Sequence, residues 1–195
     1  MNEENKYEHT NRDKILACAQ KLFYERGYDA VGVQEIVDAA GITKPTMYHY
    51  FKSKHGLLEN LLDEYGNQFL GELEKEIEKD GSYEDVLRNF VYTYISVATK
   101  NKEFYLMAIS LFSSARDNEA YIATKPYLYK LLFVVQDFFR KNASKVERLV
   151  GKEDFLSISL TGVINYYLLV NFERGMSEEV LLEEHNIEDI VNQFV

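Results

Sequence analysis

The chain reads as all-α, and three features predict it. Apolar residues recur at i, i+3 and i+4 along nearly its whole length, and no run alternates as a half-buried strand would. Glycines fall where these periodic stretches stop, at Gly27, Gly41, Gly81, Gly151 and Gly175. Near the front, two short periodic segments flank Gly41-Ile42-Thr43, the spacing of a helix-turn-helix. About nine helices are expected. Three form an N-terminal helix-turn-helix domain over residues 1–53, and the rest form a helical body over residues 54–195.

Each element has a local reason. Thr10 or Asn11 is expected to cap a first helix running to about Arg26, with Ile15, Ala19, Leu22 and Phe23 on one stripe. After Tyr28 to Gly32, a second helix carries Val33, Ile36, Val37 and Ala40. Thr43 caps the third helix, since its hydroxyl accepts a first-turn amide. Pro45 lies near that helix's start, where a missing amide hydrogen costs nothing. Met47 and Phe51, four apart, face inward, leaving Lys44, Thr46, Tyr48 and Tyr50 to point largely elsewhere. Ser53 starts a fourth helix with Leu57, Leu58, Leu61, Leu62, Tyr65 and Phe69 inward.

Ser82 caps the next helix, striped by Leu87, Phe90, Val91, Tyr94, Ile95 and Ala98 as far as Lys100. Asn101 separates a sixth segment with Phe104, Met107, Leu111 and Phe112. Pro126 marks a helix start or a kink, and an apolar helix follows from Tyr127 to Asn142. Lys152 to Glu173 forms a long helix with Phe155, Ile158, Ser159, Gly162, Val163, Tyr166, Leu169 and Val170. Ser177 caps the last helix, whose apolar edge is Val180, Leu181, Ile187, Ile190, Val191 and Phe194. These final two helices are too apolar for a monomer surface and predict a homodimer through them.

Composition narrows the function. With 195 residues, 46% hydrophobic, the chain can bury one or two cores. Its 15 Tyr and 12 Phe suit a cavity or an interface. The single cysteine, Cys18, excludes an intrachain disulfide and reads as a small core residue. His9, His49, His55 and His185 are scattered, and no glycine-rich phosphate loop is present, so no metal, no cofactor and no enzyme activity are expected. Met1 to Asn11 is polar and acidic, unlike a signal peptide. No apolar stretch is expected to approach the roughly 18 residues of a membrane span, which points to the cytoplasm and no membrane partner.

The net charge of -10 looks wrong for a nucleic-acid binder. Its distribution softens the objection. Residues 1–60 hold eight Lys or Arg against nine Asp or Glu, whereas the other 135 hold 14 against 23. Lys44, Lys52 and Lys54 cluster beside the turn with no acid between the first and the last. Phosphate binding needs a local basic face, not a basic whole. The third helix begins with Lys44 and Thr46 at the end that would enter a DNA groove, and its free amides suit a phosphate. Lys54 at the first turn of helix four is unexpected, because the helix dipole disfavours a cation there, and an outside anion would account for it.

In its ordered run of residues the chain resembles the TetR family of bacterial transcriptional regulators. The run is Ile15-Leu16, Ala19, Leu22-Phe23, Arg26-Gly27-Tyr28, Val33, Ile36-Val37, Ala39 through Phe51, then Lys54 and Leu57-Leu58. The resemblance covers about the first 60 residues. It implies a DNA-binding domain followed by a ligand-binding and dimerisation domain. By motif position, Thr46, Tyr48 and Tyr50 fall where recognition-helix residues meet phosphates or bases. Lys54 matches a phosphate-binding lysine, Thr43 and Lys44 match positions that reach DNA, and Gln34 matches a helix-two position that touches backbone or base. Gly32 departs from the family, which commonly has a threonine there that caps helix two and meets a phosphate.

The function implied is a homodimeric repressor, released from a palindromic operator on double-stranded DNA by a small hydrophobic or amphipathic effector. Candidate effector-lining residues are Tyr65, Phe69, Tyr94, Phe104, Met107, Leu111, Tyr127, Leu131, Tyr166 and Leu169, for any one of which plain core is the favoured reading. The rival readings are a dimerisation module that does not bind DNA and, more remotely, a small-molecule enzyme.

Overall fold

The computed structural model describes residues 3–195, with side chains from Asn11 onward. Helices account for every regular element among the described residues: α1 (Glu3–Arg26), α2 (Val33–Ala40), α3 (Lys44–Phe51), α4 (Lys54–Leu61), α5 (Asn67–Ile77), α6 (Tyr83–Lys100), α7 (Lys102–Phe112), α8 (Glu119–Ala143), α9 (Glu153–Glu173), α10 (Glu178–Leu181) and α11 (Glu184–Val191). A π turn at Leu62–Gly66 joins α4 to α5 without a break, and a 3-10 turn lies at Glu147–Leu149. With α4 to α5 counted as one helix and α10 with α11 as one interrupted helix, the described residues hold the nine expected.

Two helix starts differ from expectation. Thr10 and Asn11 lie inside α1 rather than at its start, because the chain before them has no glycine or proline to stop the helix; the Thr10 side chain is outside the described residues. Pro126 lies inside α8 rather than at its start. That helix begins at Glu119, where the Asn118 Oδ1 accepts the Ala120 amide at 2.7 Å. A short polar side chain that satisfies an orphan amide is a sufficient start signal, and the proline removes only one later intrahelical bond.

By packing the chain divides into two compact units. The first is Met1–Asn67 with Glu103–Tyr127, and the second is Gln68–Lys102 with Leu128–Val195. The first unit is built on Ile15, Leu16, Ala19, Phe23, Ile36, Val37, Met47, Phe51, Leu57, Leu58, Leu61 and Leu62, all 2% exposed or less. Phe104, Met107 and Leu111 of α7 join that core. Cys18 is only half-buried.

The second unit packs α6 against α9, α10 and α11. Phe90 and Phe138 lie 4.6 Å apart between ring centroids, and Phe139 meets Phe138 edge-on at 5.3 Å. Arg88 of α6 forms ion pairs with Glu188 of α11 and with Asp85 and Glu84 of its own helix. Near the chain's end, the Phe194 carbonyl accepts from Tyr83 Oη at 2.8 Å and Arg148 Nη2 at 2.7 Å. Leu181, Ile187, Ile190, Val191 and Phe194 are therefore buried inside this unit. The expected subunit contact through the last helix is corrected: its apolar edge is consumed by α6.

The exposed apolar surface lies elsewhere. On α9, Phe155, Ile158, Tyr166 and Val170 stay exposed, with Gly162 in the same stripe and open space where its Cβ would be. On α8, Tyr129 and Phe133 are also exposed, and Gln136 of α8 hydrogen-bonds Asp154 of α9. By length and composition α9 is also apolar enough to cross a membrane, contrary to the sequence expectation. Its apolar residues are split between a face packed on α6 (Leu160, Ile164, Leu168) and the exposed stripe.

Candidate nucleic-acid interface

The turn between α2 and α3 is held by backbone. Gly41 ends α2 at φ +64°, a left-handed conformation that costs a glycine little, and its amide reaches Asp38 O at 3.2 Å. The Ile42 amide then bonds Val37 O at 3.0 Å. Thr43 caps α3, its Oγ1 accepting weakly from the Thr46 amide at 3.4 Å and lying 2.8 Å from the Thr46 hydroxyl. Met47 and Phe51 are buried, as their spacing predicts. Lys44, Pro45, Tyr48 and His49 are left exposed, Tyr48 at 42%.

Thr43, Lys44, Thr46 and Tyr48 are thus gathered on one short helix and its cap, with hydroxyls, an ammonium and a phenol outward. Tyr50 is half-buried, its ring 5.4 Å from His49 and 6.0 Å from Phe51 between centroids. Gln34 is exposed on α2, where its Nε2 donates to Asp38 Oδ1 at 2.7 Å.

Gly32 has no side chain to cap α2, so the helix is closed from inside. The Gly32 amide donates to Glu35 Oε1 at 3.0 Å, and Arg26 pairs with the other Glu35 oxygen. The amide first, then the guanidinium, hold the Glu35 carboxyl below the ordinary carboxylate value.

Between α3 and α4 the chain makes a turn that sequence reasoning missed. Lys52 has φ +65°, and the Ser53 amide reaches back two residues to Phe51 O at 2.7 Å. This three-residue turn is rare and strained for a residue with a Cβ. The Phe51 carbonyl is pressed against Gly56, where an added Cβ would lie 2.1 Å from the oxygen. Only glycine fits there. Ser53 caps α4 by accepting the Gly56 amide at 2.9 Å.

The basic cluster is partly taken up by the protein. Lys52 Nζ donates to His49 O at 3.1 Å. Lys54 Nζ donates to Tyr28 O at 3.0 Å and Val31 O at 3.1 Å, and sits 4.1 Å from the centre of the Tyr28 ring. Lys54 thus has partners inside the protein at the helix start where an outside anion is expected. Two backbone carbonyls and a ring face offset the unfavourable position.

The candidate effector residues fall in both units. Tyr65, Phe104, Met107, Leu111 and Tyr127 belong to the first unit, where Tyr65 and Phe104 rings are 5.5 Å apart and Tyr127 donates to Asp63 on the π turn. Phe69, Tyr94, Leu131, Tyr166 and Leu169 belong to the second. There Phe69 meets Tyr94 edge-on at 5.2 Å, and Tyr94 Oη donates to Asn165 Oδ1 at 3.0 Å. Tyr166, 74% exposed, is removed from the lining set, because it falls on the outward stripe of α9.

A short, capped, exposed helix after a three-residue turn defines a helix-turn-helix protein. Residues 15–61 match the family model of bacterial regulatory proteins, tetR family. It is 37% identical over 67 residues to the HTH-type transcriptional repressor ComR of Escherichia coli K12, covering 34% of this chain and 32% of that protein. It is 27% identical over 170 residues to the uncharacterized HTH-type transcriptional regulator YerO of Bacillus subtilis, covering 84% of this chain and 57% of that one. The chain therefore spans about a third and rather over half of these relatives' lengths. Both are named as regulators of transcription rather than as enzymes.

The fold continues beyond the matched segment. The Bacillus subtilis regulator FadR, solved in complex with stearoyl-CoA, superposes with a TM-score of 0.75 at 20% identity, covering 91% of this chain and 96% of that one. At that identity the likeness is one of fold.

Proposed function

We propose that the chain is a homodimeric, effector-responsive transcriptional repressor that binds a near-palindromic operator through α3. The observation that carries this reading is the exposed set Thr43, Lys44 and Tyr48 with the half-buried Thr46 beside them, presented by a helix whose other face is locked into the first unit's core. Hydroxyls and an ammonium suit phosphate oxygens, and a phenol ring suits sugars or a thymine methyl. Gln34 and the half-buried Tyr50 flank this row. Residues 1–53 are assigned to DNA binding and residues 54–195 to effector binding and dimerisation, with Lys54 at the division. The protein works in the cytoplasm, where its DNA target lies.

Dimerisation is assigned to the exposed stripe of α9 with Tyr129 and Phe133 of α8, because apolar surface of that extent favours a partner. Two-fold symmetry then sets the recognition helices roughly 34–36 Å apart, one turn of DNA. The effector is hydrophobic or amphipathic, in keeping with Tyr65, Phe69, Tyr94, Phe104, Met107, Leu111, Tyr127, Leu131 and Leu169, of which Tyr94 and Leu131 are buried aromatic and aliphatic candidates in the second unit. The acyl thioester held by FadR is the first compound to test.

DNA upstream of the chain's own coding sequence should be retained in a mobility-shift assay, less so as salt rises. Lys44→Ala should weaken binding and lower the salt slope by about 1, and Tyr48→Ala should weaken it by roughly tenfold. Binding that ignores both substitutions overturns the assignment of α3. Stearoyl-CoA should release the DNA; if it does not, the acyl class is excluded.

A further inference from the structure

Gln34 and Asp38 are both exposed on α2, one helical turn apart, and Gln34 Nε2 donates to Asp38 Oδ1 at 2.7 Å. Chemistry fixes the direction of this bond. A carboxylate only accepts, whereas a glutamine amide carries two donor hydrogens and one acceptor oxygen. The amide nitrogen must therefore turn to Asp38, which leaves Gln34 Oε1 as the atom offered to a partner. A second amide hydrogen remains, but any acceptor drawn to it would lie close to the Asp38 carboxylate and be repelled. Held in this way, Gln34 favours donors.

Asp38 is a costly choice on other counts. It stands in the last turn of α2, where the helix dipole disfavours an anion and no basic residue compensates. Its partner Gln34 is neutral and leaves the charge in place. An exposed carboxylate one turn before the reading helix also repels phosphates. Its origin is nonetheless fixed, because the Asp38 carbonyl accepts the Gly41 amide at 3.2 Å at the turn into α3. What the side chain supplies in return is the direction of the Gln34 amide.

We propose that Asp38 is a positioning residue that sets Gln34 to read an amino edge in the major groove. Adenine offers such a donor at N6 and cytosine at N4, whereas guanine and thymine offer the acceptors O6 and O4. Lys44, at the start of α3, has the opposite chemistry, since an ammonium only donates and suits guanine O6 and N7. The two helices thus ask for complementary edges. The inference rests on the DNA-binding reading above and adds to it the class of base that α2 accepts.

The test is selection of bound fragments from upstream DNA randomised one position at a time, with the bound pool sequenced. Wild type, Gln34→Ala, Asp38→Ala, Asp38→Asn and Asp38→Glu are compared. The position read by Gln34 is the one whose preference Gln34→Ala flattens. There the wild type should favour adenine and cytosine on one strand over guanine and thymine by about fivefold, the size of one hydrogen bond. Asp38→Ala should reduce this to about twofold or less, because the freed amide can also donate to N7, O6 or O4. Asp38→Asn should do the same, since its amide pairs with Gln34 in either direction. Asp38→Glu keeps a partner that only accepts and should retain the amino preference. Removing the charge should raise affinity for every sequence, an effect that leaves relative base preference untouched.

Asp38→Ala removes an unfavourable helix charge and should melt no lower than wild type. A preference that survives in Asp38→Ala and Asp38→Asn overturns the proposal. So does an Asp38→Glu variant that reads like Asp38→Ala, or a wild type that favours guanine or thymine at the Gln34 position. If Gln34→Ala changes no position while binding persists, Gln34 reads no base and the proposal fails with α3 still assigned. If the wild type retains no DNA at all, the DNA reading itself fails and takes this inference with it.

Discussion

Helices α3 and α9 are both half-buried, yet they leave opposite chemistries outside. The outward face of α3 carries Lys44, Thr46 and Tyr48 above a core face of Met47 and Phe51. The outward face of α9 carries Phe155 at 71% exposure, Ile158, Tyr166 and Val170, while its buried face includes Ser157, Thr161 and Asn171. The first pattern offers polar groups to a hydrated, charged surface. The second exposes what a lone chain would hide, even though Leu160, Ile164 and Leu168 fill its buried face. Exposure alone thus says little, and the chemistry of the exposed face tells which partner an element is built for.

The comparison can be broken most forcefully at α9. Changing Phe155 and Tyr166 together to Glu should abolish the dimer at micromolar concentration, since a central aromatic contributes at least about 2 kcal/mol, roughly 30-fold in dissociation constant. Native mass spectrometry reads the outcome, and an intact dimer would return the stripe to an unassigned surface. At the junction of α3 with α4 the largest effect is expected from Gly56→Ala. The added methyl meets the Phe51 carbonyl, and the junction must shift at a cost of about 1–3 kcal/mol, seen in the denaturation midpoint.

Smaller changes sharpen the polar side of the contrast. Thr43→Ala should cost about 1 kcal/mol through the lost cap and be read in thermal melting. The Glu35 carboxyl, held low by the Gly32 amide and Arg26, gives a pH signature. Its folded value is depressed, so its contribution is present above the unfolded carboxylate value and is lost as pH falls through the folded one. Acid titration by NMR should therefore show the Gly32 amide losing protection in step with Glu35, and Glu35→Gln should remove that step. The smallest effect on stability is expected at Gly32, whose backbone is extended and whose Cβ would make only ordinary contact with Glu35 at 3.5 Å. Gly32→Thr should leave the melting temperature nearly unchanged, since the two cap about equally well. DNA affinity should rise through the added hydroxyl.

Local signals made much of this legible. Ser53, Ser82 and Ser177 cap helices where a hydroxyl stands before an apolar run, and Gly41, Gly151 and Gly175 take the left-handed angles their positions suggest. The buried face of α3 follows from the spacing of Met47 and Phe51, which settles which way the short helix faces. The π turn at Leu62–Gly66 and the strained turn at Lys52 carry no such signal. At the first, Tyr127 packs against Gly66, and at the second the Phe51 carbonyl packs against Gly56.

By itself, then, the sequence determined the helices, most of their ends and the outward face of α3, because caps and 3.6-residue periodicity act over a few residues. Tertiary structure alone decided what lies against each apolar face. Val191 and Tyr166 belong to equally apolar edges, yet the first is buried against α6 and the second stands in the open. It also decided that Lys54 turns inward to two carbonyls, since the Tyr28 and Val31 oxygens lie 26 and 23 positions away. Periodicity names a face, but only the folded chain supplies its neighbour.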